Sequence, residues 1–264
     1  MAYGAGTGPI AVAHRGGAGL APENTLAAFA RSYALGIRYL ETDLRTTSDG
    51  VCVAFHDERL DRVTDGRGPL SRRSWAQVSR LQVAGGGGVP RLVDLLDAFP
   101  DARFTVDVKD VGVIRPLAEL LRRTGAAERV CVAGAWDGWL RELRERTGPA
   151  LATALGWRSL SALVACARAG VRPPRSLGPG SFVHVPLRLH GLPVFSERVA
   201  EIAHGLGLRV LVWTVDEPTW MHRLLDCGAD GVITDRPDLL REVLVARGQW
   251  PAMGTGSVVP ALPF

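Results

Sequence analysis

Eight short runs rich in apolar and β-branched residues alternate along the chain with eight segments of helical character. The runs fall at 10–14, 38–44, 103–109, 129–133, 150–155, 182–187, 209–215 and 231–234. The helical segments fall at 23–35, 92–99, 113–123, 136–146, 159–169, 196–204, 217–226 and 238–247. Parallel strands cannot be joined by tight turns, so each helix must cross back over the sheet. Eight such units close on themselves as an α/β fold, the (β/α)8 TIM barrel. Punctuation agrees: Gly36, Gly125, Gly148, Gly170, Gly205 and Gly228 each follow a helix, where a left-handed residue ends it. The phrases ALGIRYLETD, HGLGLRVLVWTV and DCGADGVITD repeat one helix–glycine–strand plan.

One apolar run, 51–55, is left over. It follows the second strand through TTSDG, too short for a crossover, and is expected as a hairpin strand that carries His56 back to the same end of the barrel. The Gly-, Arg- and Ser-rich stretch 57–90 is expected as a lid or flap. The chain therefore divides into a single barrel over 1–247, with the 57–90 excursion inside it, and a Gly/Pro-rich tail over 248–264.

With 47% hydrophobic and 22% charged residues, the composition supports a sizeable core. The N-terminal MAYGAGTGPIAVAHRGG has no signal-like apolar run and no later segment approaches membrane-spanning length. A cytoplasmic protein without stable membrane insertion is expected, and the oligomeric state is left open. The formal charge of +4 comes from arginines scattered along the whole chain, without the clustered, aromatic-interleaved patch that nucleic acid requires. Cys52, Cys131, Cys166 and Cys227 lack metal-ligand spacing and read as small buried residues. Only one of the 31 basic residues is Lys, at Lys109. A chain that uses Arg everywhere else needs a compact ammonium there.

Residues two apart on a strand point the same way. Glu41 and Asp43 thus project together from strand two, and Asp107 and Lys109 from strand three, near the strand ends where barrel enzymes place their sites. Three converging carboxylates repel unless a cation sits among them, and oxygen-only ligands suit Mg²⁺ or Ca²⁺. His14 ends strand one and His56 ends the hairpin strand, a pair suited to acid–base transfer at neutral pH. Arg15 and Lys109 add the positive charge that a phosphate would meet. Gly16 and Gly17 would let backbone amides approach that phosphate. Trp213, near the end of strand seven, either walls the pocket or packs in the core. His184, His190, His204 and His222 read as structural or solvent-exposed.

The segments AHRGG, APENTLAAF, ETDLRTTSDG, VAFHDERLDRVTDGRG, VDVK, VWTVD and GVITDRPD, in this order from about residue 10 to 243, closely resemble the glycerophosphodiester phosphodiesterase family. That family lies within the phosphatidylinositol-phospholipase-C-like phosphodiesterase superfamily. The resemblance implies a Ca²⁺- or Mg²⁺-dependent barrel enzyme that hydrolyses small glycerophosphodiesters to glycerol 3-phosphate and an alcohol. It matches His14 and His56 to the acid–base pair, Arg15 to the phosphate-contacting arginine, Glu41 and Asp43 to metal ligands, and Lys109 to the phosphate-site lysine. It also implies attack by the neighbouring glycerol hydroxyl, giving a cyclic phosphate that water opens. The third metal ligand, usually Glu in the family, is Asp107 here. Arg91 stands in VPRLVD where the family carries Thr, and is expected to lie inert on the surface. Relatives acting on lipids share the same core, but the polar 57–90 stretch weighs against a lipid substrate. A non-catalytic phosphate-binding barrel is disfavoured by the intact histidines, carboxylates and lysine.

Overall fold

The chain runs β1 (Ile10–Ala13), α1 (Leu26–Ala34), β2 (Tyr39–Thr46), β3 (Cys52–Ala54), α2 (Trp75–Val78), α3 (Leu92–Ala98), β4 (Arg103–Val108), α4 (Ile114–Thr124), β5 (Val130–Gly134) and α5 (Asp137–Thr147). It continues through β6 (Ala152–Thr153), α6 (Trp157–Ala169), β7 (Phe182–Pro186), β8 (Arg188–Leu189), β9 (Leu192–Pro193), α7 (Glu197–Gly205), β10 (Arg209–Trp213), α8 (Pro218–Asp226), β11 (Gly231–Thr234) and α9 (Pro237–Ala246). The computed structural model describes residues 2–174, 177 and 180–250.

Eight parallel strands are bonded in the order β6, β5, β4, β2, β1, β11, β10, β7. The ring meets where Ala154 bridges Phe182, with Leu155 N–H donating to Phe182 O at 3.0 Å and Ser181 N–H to Thr153 O at 2.9 Å. This is the expected TIM barrel. The alternation of strand side chains separates two cores. Ile10 and Val12 point inward to meet Phe182, Leu211 and Ile233, while Ala11 and Ala13 face the helices. Each large apolar side chain buried this way contributes roughly 1.5–3 kcal/mol. Among the described residues no helix is long and apolar enough to cross a membrane.

The N-terminal end of the barrel is closed by a segment the sequence reading left without a role. Tyr3 is buried inside the barrel, stacked edge-on against Tyr39 and Phe182 at 5.2 and 5.0 Å, and its hydroxyl is hydrogen-bonded to Thr105. Arg209 holds the segment by donating to Gly4 O at 2.9 Å and Gly8 O at 3.1 Å.

The hairpin forms as expected: β3 pairs antiparallel with β2, Leu44 opposite Ala54 and Thr46 opposite Cys52. Phe55 N–H then donates to Asp43 O at 2.9 Å, which carries His56 to the barrel mouth. The 57–90 stretch, expected as a lid or flap, has a structure of its own. It folds into short 3₁₀ turns and α2, and packs Leu60, Leu70, Val78, Val83 and Val89 against Val53 and Phe55 as a small core of its own. Burying these apolar residues fixes the stretch against the β3 hairpin strand. Of the expected tail, 251–264 lie outside the described residues, and Trp250 folds back with its N–H on Leu244 O at 3.1 Å.

Two of the boundaries that differ from the sequence reading shape the barrel mouth. The first helix, expected from Glu23, starts at Leu26 with Thr25 as its cap. Asn24 takes a left-handed conformation, φ 56°, which Asn tolerates better than most residues. This leaves Glu23 and Asn24 in the turn, free to reach the barrel mouth. The first strand ends at Ala13, and His14–Gly16 form a 3₁₀ turn.

Candidate active site

All eight residues expected at the site line one cavity of about 380 Å³ at the C-terminal mouth: His14, Arg15, Glu41, Asp43 and His56 on one side, with Asp107, Lys109 and Trp213. No residue of 57–90 lines it.

Glu41 and Asp43 lie side by side on β2, both buried. Burial, reinforced by the charge of Asp43, pushes the Glu41 carboxyl up to about 7. The Arg15 N–H opposes this by donating to Glu41 Oε2 at 2.7 Å. It can do so because Arg15 adopts the left-handed region, φ 50°, a conformation costing roughly 1–2 kcal/mol that this bond and two ion pairs offset. Those pairs link Arg15 Nη1 to Glu23 Oε1 at 3.0 Å and Nε to Asp43 Oδ2 at 3.3 Å. The second contact lacks hydrogen-bond geometry, so buried Nε is left without a hydrogen-bond partner. Of the two glycines that follow, Gly17 already engages its amide within the turn. Gly17 has φ 99°, its N–H is used by His14 O at 2.8 Å, and a Cβ there would collide with Ser32 Oγ.

Lys109 Nζ bridges two carboxylates, Asp43 Oδ1 at 2.9 Å and Asp107 Oδ2 at 2.7 Å. A planar guanidinium would not fit between them in the same way, which accounts for the lone lysine. Asp43 is buried, yet Lys109, Arg15 and His56 hold its carboxyl below the usual range. Asp107 is pushed the other way by burial despite Lys109. Asn24 fixes the second oxygen of Asp43, donating at 3.0 Å, and itself accepts from Thr42 Oγ1 at 2.8 Å.

His14 and His56 are each held by an aspartate. His14 Nδ1 lies 2.7 Å from Asp235 Oδ1, and Nε2 lies 4.0 Å from Glu41. Burial penalises the charged ring, but the Asp235 bond and the charges of Glu41 and Asp235 outweigh it, so its pKa is raised. His56 Nδ1 lies 2.7 Å from Asp57 Oδ1. Arg62 grips the back of Asp57 through Nε at 2.6 Å and also donates to both oxygens of Glu23, at 2.9 and 2.7 Å. One chain of charges thus runs from His56 through Asp57, Arg62 and Glu23 to Arg15. The sequence reading assigned none of Asp57, Arg62, Glu23, Asn24 or Asp235 a role, although every one stands inside a motif it quoted.

The opposite wall is apolar: Trp136, Trp139, Trp157, Leu155 and Leu160, from the ends of β5 and β6 and their helices. His184 on β7, read from sequence as structural, also lines the cavity. Burial pushes its pKa down to about 4, and its Nε2, like Trp213 Nε1, is buried without a partner. Trp213 therefore walls the pocket. Arg91 is turned away, bonded through Nη2 to Asp94 Oδ1 at 2.6 Å and lying over Trp75.

Glu41 and Asp43 offer oxygen donors only, and the Glu41 carboxyl, raised by burial and then by the charge of Asp43, is one whose ionised form a hard divalent ion would stabilise. Among the described residues no three acidic, His or Cys side chains are disposed as a metal-holding group, and Lys109 Nζ stands between Asp43 and Asp107. The chemistry fits a hard cation through Glu41 and Asp43, with Asp107 adjacent.

A TIM barrel whose mouth gathers two aspartate-held histidines, paired acids, an arginine and a lysine defines a phosphodiesterase-type barrel. The sequence matches the glycerophosphoryl diester phosphodiesterase family over residues 14–148 and 150–239, and the chain belongs to that family as a phosphoric diester hydrolase. It is 39% identical over 246 residues to the "Probable glycerophosphodiester phosphodiesterase 2" of Mycobacterium tuberculosis, covering 92% of this chain and 93% of that protein. It is 28% identical to the glycerophosphodiester phosphodiesterase of Caldanaerobacter subterraneus, covering 88% and 96%. A putative glycerophosphoryl diester phosphodiesterase of known structure from Silicibacter pomeroyi superposes with a TM-score of 0.76 at 25% identity, covering 92% and 95%.

Proposed function

We propose that this chain hydrolyses small glycerophosphodiesters to glycerol 3-phosphate and an alcohol, with His14 and His56 exchanging protons and a divalent cation, Mg²⁺ or Ca²⁺, bound by Glu41, Asp43 and Asp107. The observation that carries the reading is a single cavity in which two aspartate-held histidines face a cluster of Lys109, Arg15 and buried carboxylates. The cation supplies Lewis-acid charge to the phosphoryl oxygens; membership of a generally metal-dependent family supports it. Arg15 Nε and Lys109 Nζ hold the phosphate oxygens, which gain charge in the transition state. The neighbouring glycerol hydroxyl attacks phosphorus, the bond to the departing alcohol breaks, and a cyclic phosphate forms. His56 takes the hydroxyl proton. His14, whose raised pKa keeps it protonated further into the neutral range, gives its proton to the leaving oxygen. Water then opens the ring with the two histidines in reversed roles.

The test is glycerol 3-phosphate release from glycerophosphocholine and glycerophosphoethanolamine with Mg²⁺, Ca²⁺ or EDTA, beside the His14→Ala protein. Release that needs metal and disappears in the variant is expected. Folded protein that releases nothing with any metal would sink the reading. The tryptophan and leucine wall favours a second reading, a lipid diester whose apolar part lies against β5 and β6. Cleavage of lysophosphatidylcholine in preference to glycerophosphocholine would select it.

A further inference from the structure

The large hydrophobic side chains left exposed among the described residues are not spread evenly. Val111, Trp136, Trp157, Leu189 and Leu192 belong to the loops after β4, β5 and β6 and to the β8–β9 hairpin after β7. They form one arc around the C-terminal mouth. The remaining two, Val171 and Val245, lie at helix C-termini, which return to the opposite end of the barrel. Val111 and Leu192, 63 and 64% exposed, line no part of the cavity, and Trp136, which does line it, is still 62% exposed.

The hairpin is built to present its leucines. His190 and Gly191, at φ 48° and 80°, make the two-residue turn with both centres left-handed that a tight hairpin requires. Leu189 and Leu192 are a directly opposed pair across it, so both project from the same face. Charge follows the same arc. Arg158 adjoins Trp157, Arg188 adjoins Leu189, and both are exposed. The acids of these loops are turned to other tasks: Asp137 accepts from Gly156 N–H at 3.2 Å, and Asp110 accepts from Thr46 and faces Arg45 at 3.7 Å.

We propose that this arc, from β4 to the β8–β9 hairpin, is a docking surface for an anionic phospholipid bilayer. Tryptophan and aliphatic side chains favour the boundary between headgroups and acyl chains, and flanking arginines draw it to negative lipid. The apolar wall inside the cavity is continuous with the arc through Trp136 and Trp157, so docking sets the open side of the active site against the lipid surface. The proposal concerns where the enzyme sits and holds whichever diester it cleaves.

Sedimentation with vesicles of phosphatidylcholine, with and without phosphatidylglycerol, tests it. The protein is expected to bind the phosphatidylglycerol vesicles, more weakly as salt rises. The triple variant Val111→Ser, Leu189→Ser, Leu192→Ser changes no cavity residue. It is expected to lose at least about tenfold in vesicle affinity while keeping its turnover of soluble glycerophosphocholine. A wild-type protein that sediments with neither vesicle overturns the proposal, as does a triple variant that binds like wild type. A wild-type dimer in light scattering that the triple variant makes monomeric, without vesicle binding, would assign the arc to a second copy instead. The sedimentation result needs no turnover, so a failed hydrolysis assay leaves it decisive.

Discussion

On the β1, β2 and β4 side of the mouth the histidines and acids are tied to charged partners, while on the β5, β6, β7 and β10 side the wall is mostly tryptophan, leucine and alanine, with His184 and Thr214 set among them. Two histidines make the comparison concrete. His14, facing Asp235 and Glu41, has a raised pKa, whereas His184, buried with no acid beside it, is pushed down to about 4. The residue type and the barrel are the same. A neighbouring carboxylate decides whether burial produces a proton carrier or a neutral ring. The charged half therefore suits the proton transfer and anion binding proposed for it, and the apolar half suits a role in shape and in excluding water.

The sharpest way to break this division is to compare histidines. His56→Ala is expected to leave the fold intact and lower turnover by roughly 10² or more, while His184→Ala costs far less. Equal losses in steady-state assays would mean that both halves take part in chemistry. Next in size is the apolar wall. Trp157→Ala removes aromatic contact area without touching a charge, so KM for the diester should rise by up to about tenfold, worth ~1.4 kcal/mol, with kcat nearly unchanged. A fall in kcat at constant KM would assign Trp157 to the transition state instead.

The smallest effect concerns the clamp that joins His56 to Arg15. Glu23 and Asp57 are held below the usual carboxylate range, Glu23 against the cost of burial by Arg62 and Arg15, Asp57 mainly by Arg62. A depressed folded pKa adds stability above the unfolded value, near ~4, that is lost as pH falls through the folded value. Arg62 is half exposed, so Arg62→Ala should cost no more than about 1 kcal/mol at neutral pH. In denaturant melts the gap between variant and wild type should close in acid. A gap that persists or widens there would show that packing, not charge, holds the clamp.

Much of the charged half was legible because it is local. Residue spacing of two on β2 and β4 places Glu41 with Asp43 and Asp107 with Lys109, and the hairpin length places His56. The partners of the histidines were harder. Asp235 lies 221 positions from His14, so no periodicity links them. Asp57 is adjacent to His56, but only the folded turn shows that it bonds that ring. Trp136 and Trp157 were invisible as a wall because, in sequence, one stands where a helix begins and the other two residues ahead of the next. The small core within 57–90 was not legible because the polar composition of the stretch hid a few well-placed apolar residues that bury one another.

The sequence by itself determined the barrel, since eight strand–helix alternations leave the chain few other ways to bury both faces of its strands. It also determined which ends of the strands carry the chemistry. Only the tertiary structure decided that Tyr3 closes the far end, that an aromatic wall faces the charges, and that exposed hydrophobics gather on one rim. These depend on loops and termini meeting across the ring, and contacts between segments far apart in the chain leave no periodic trace in it.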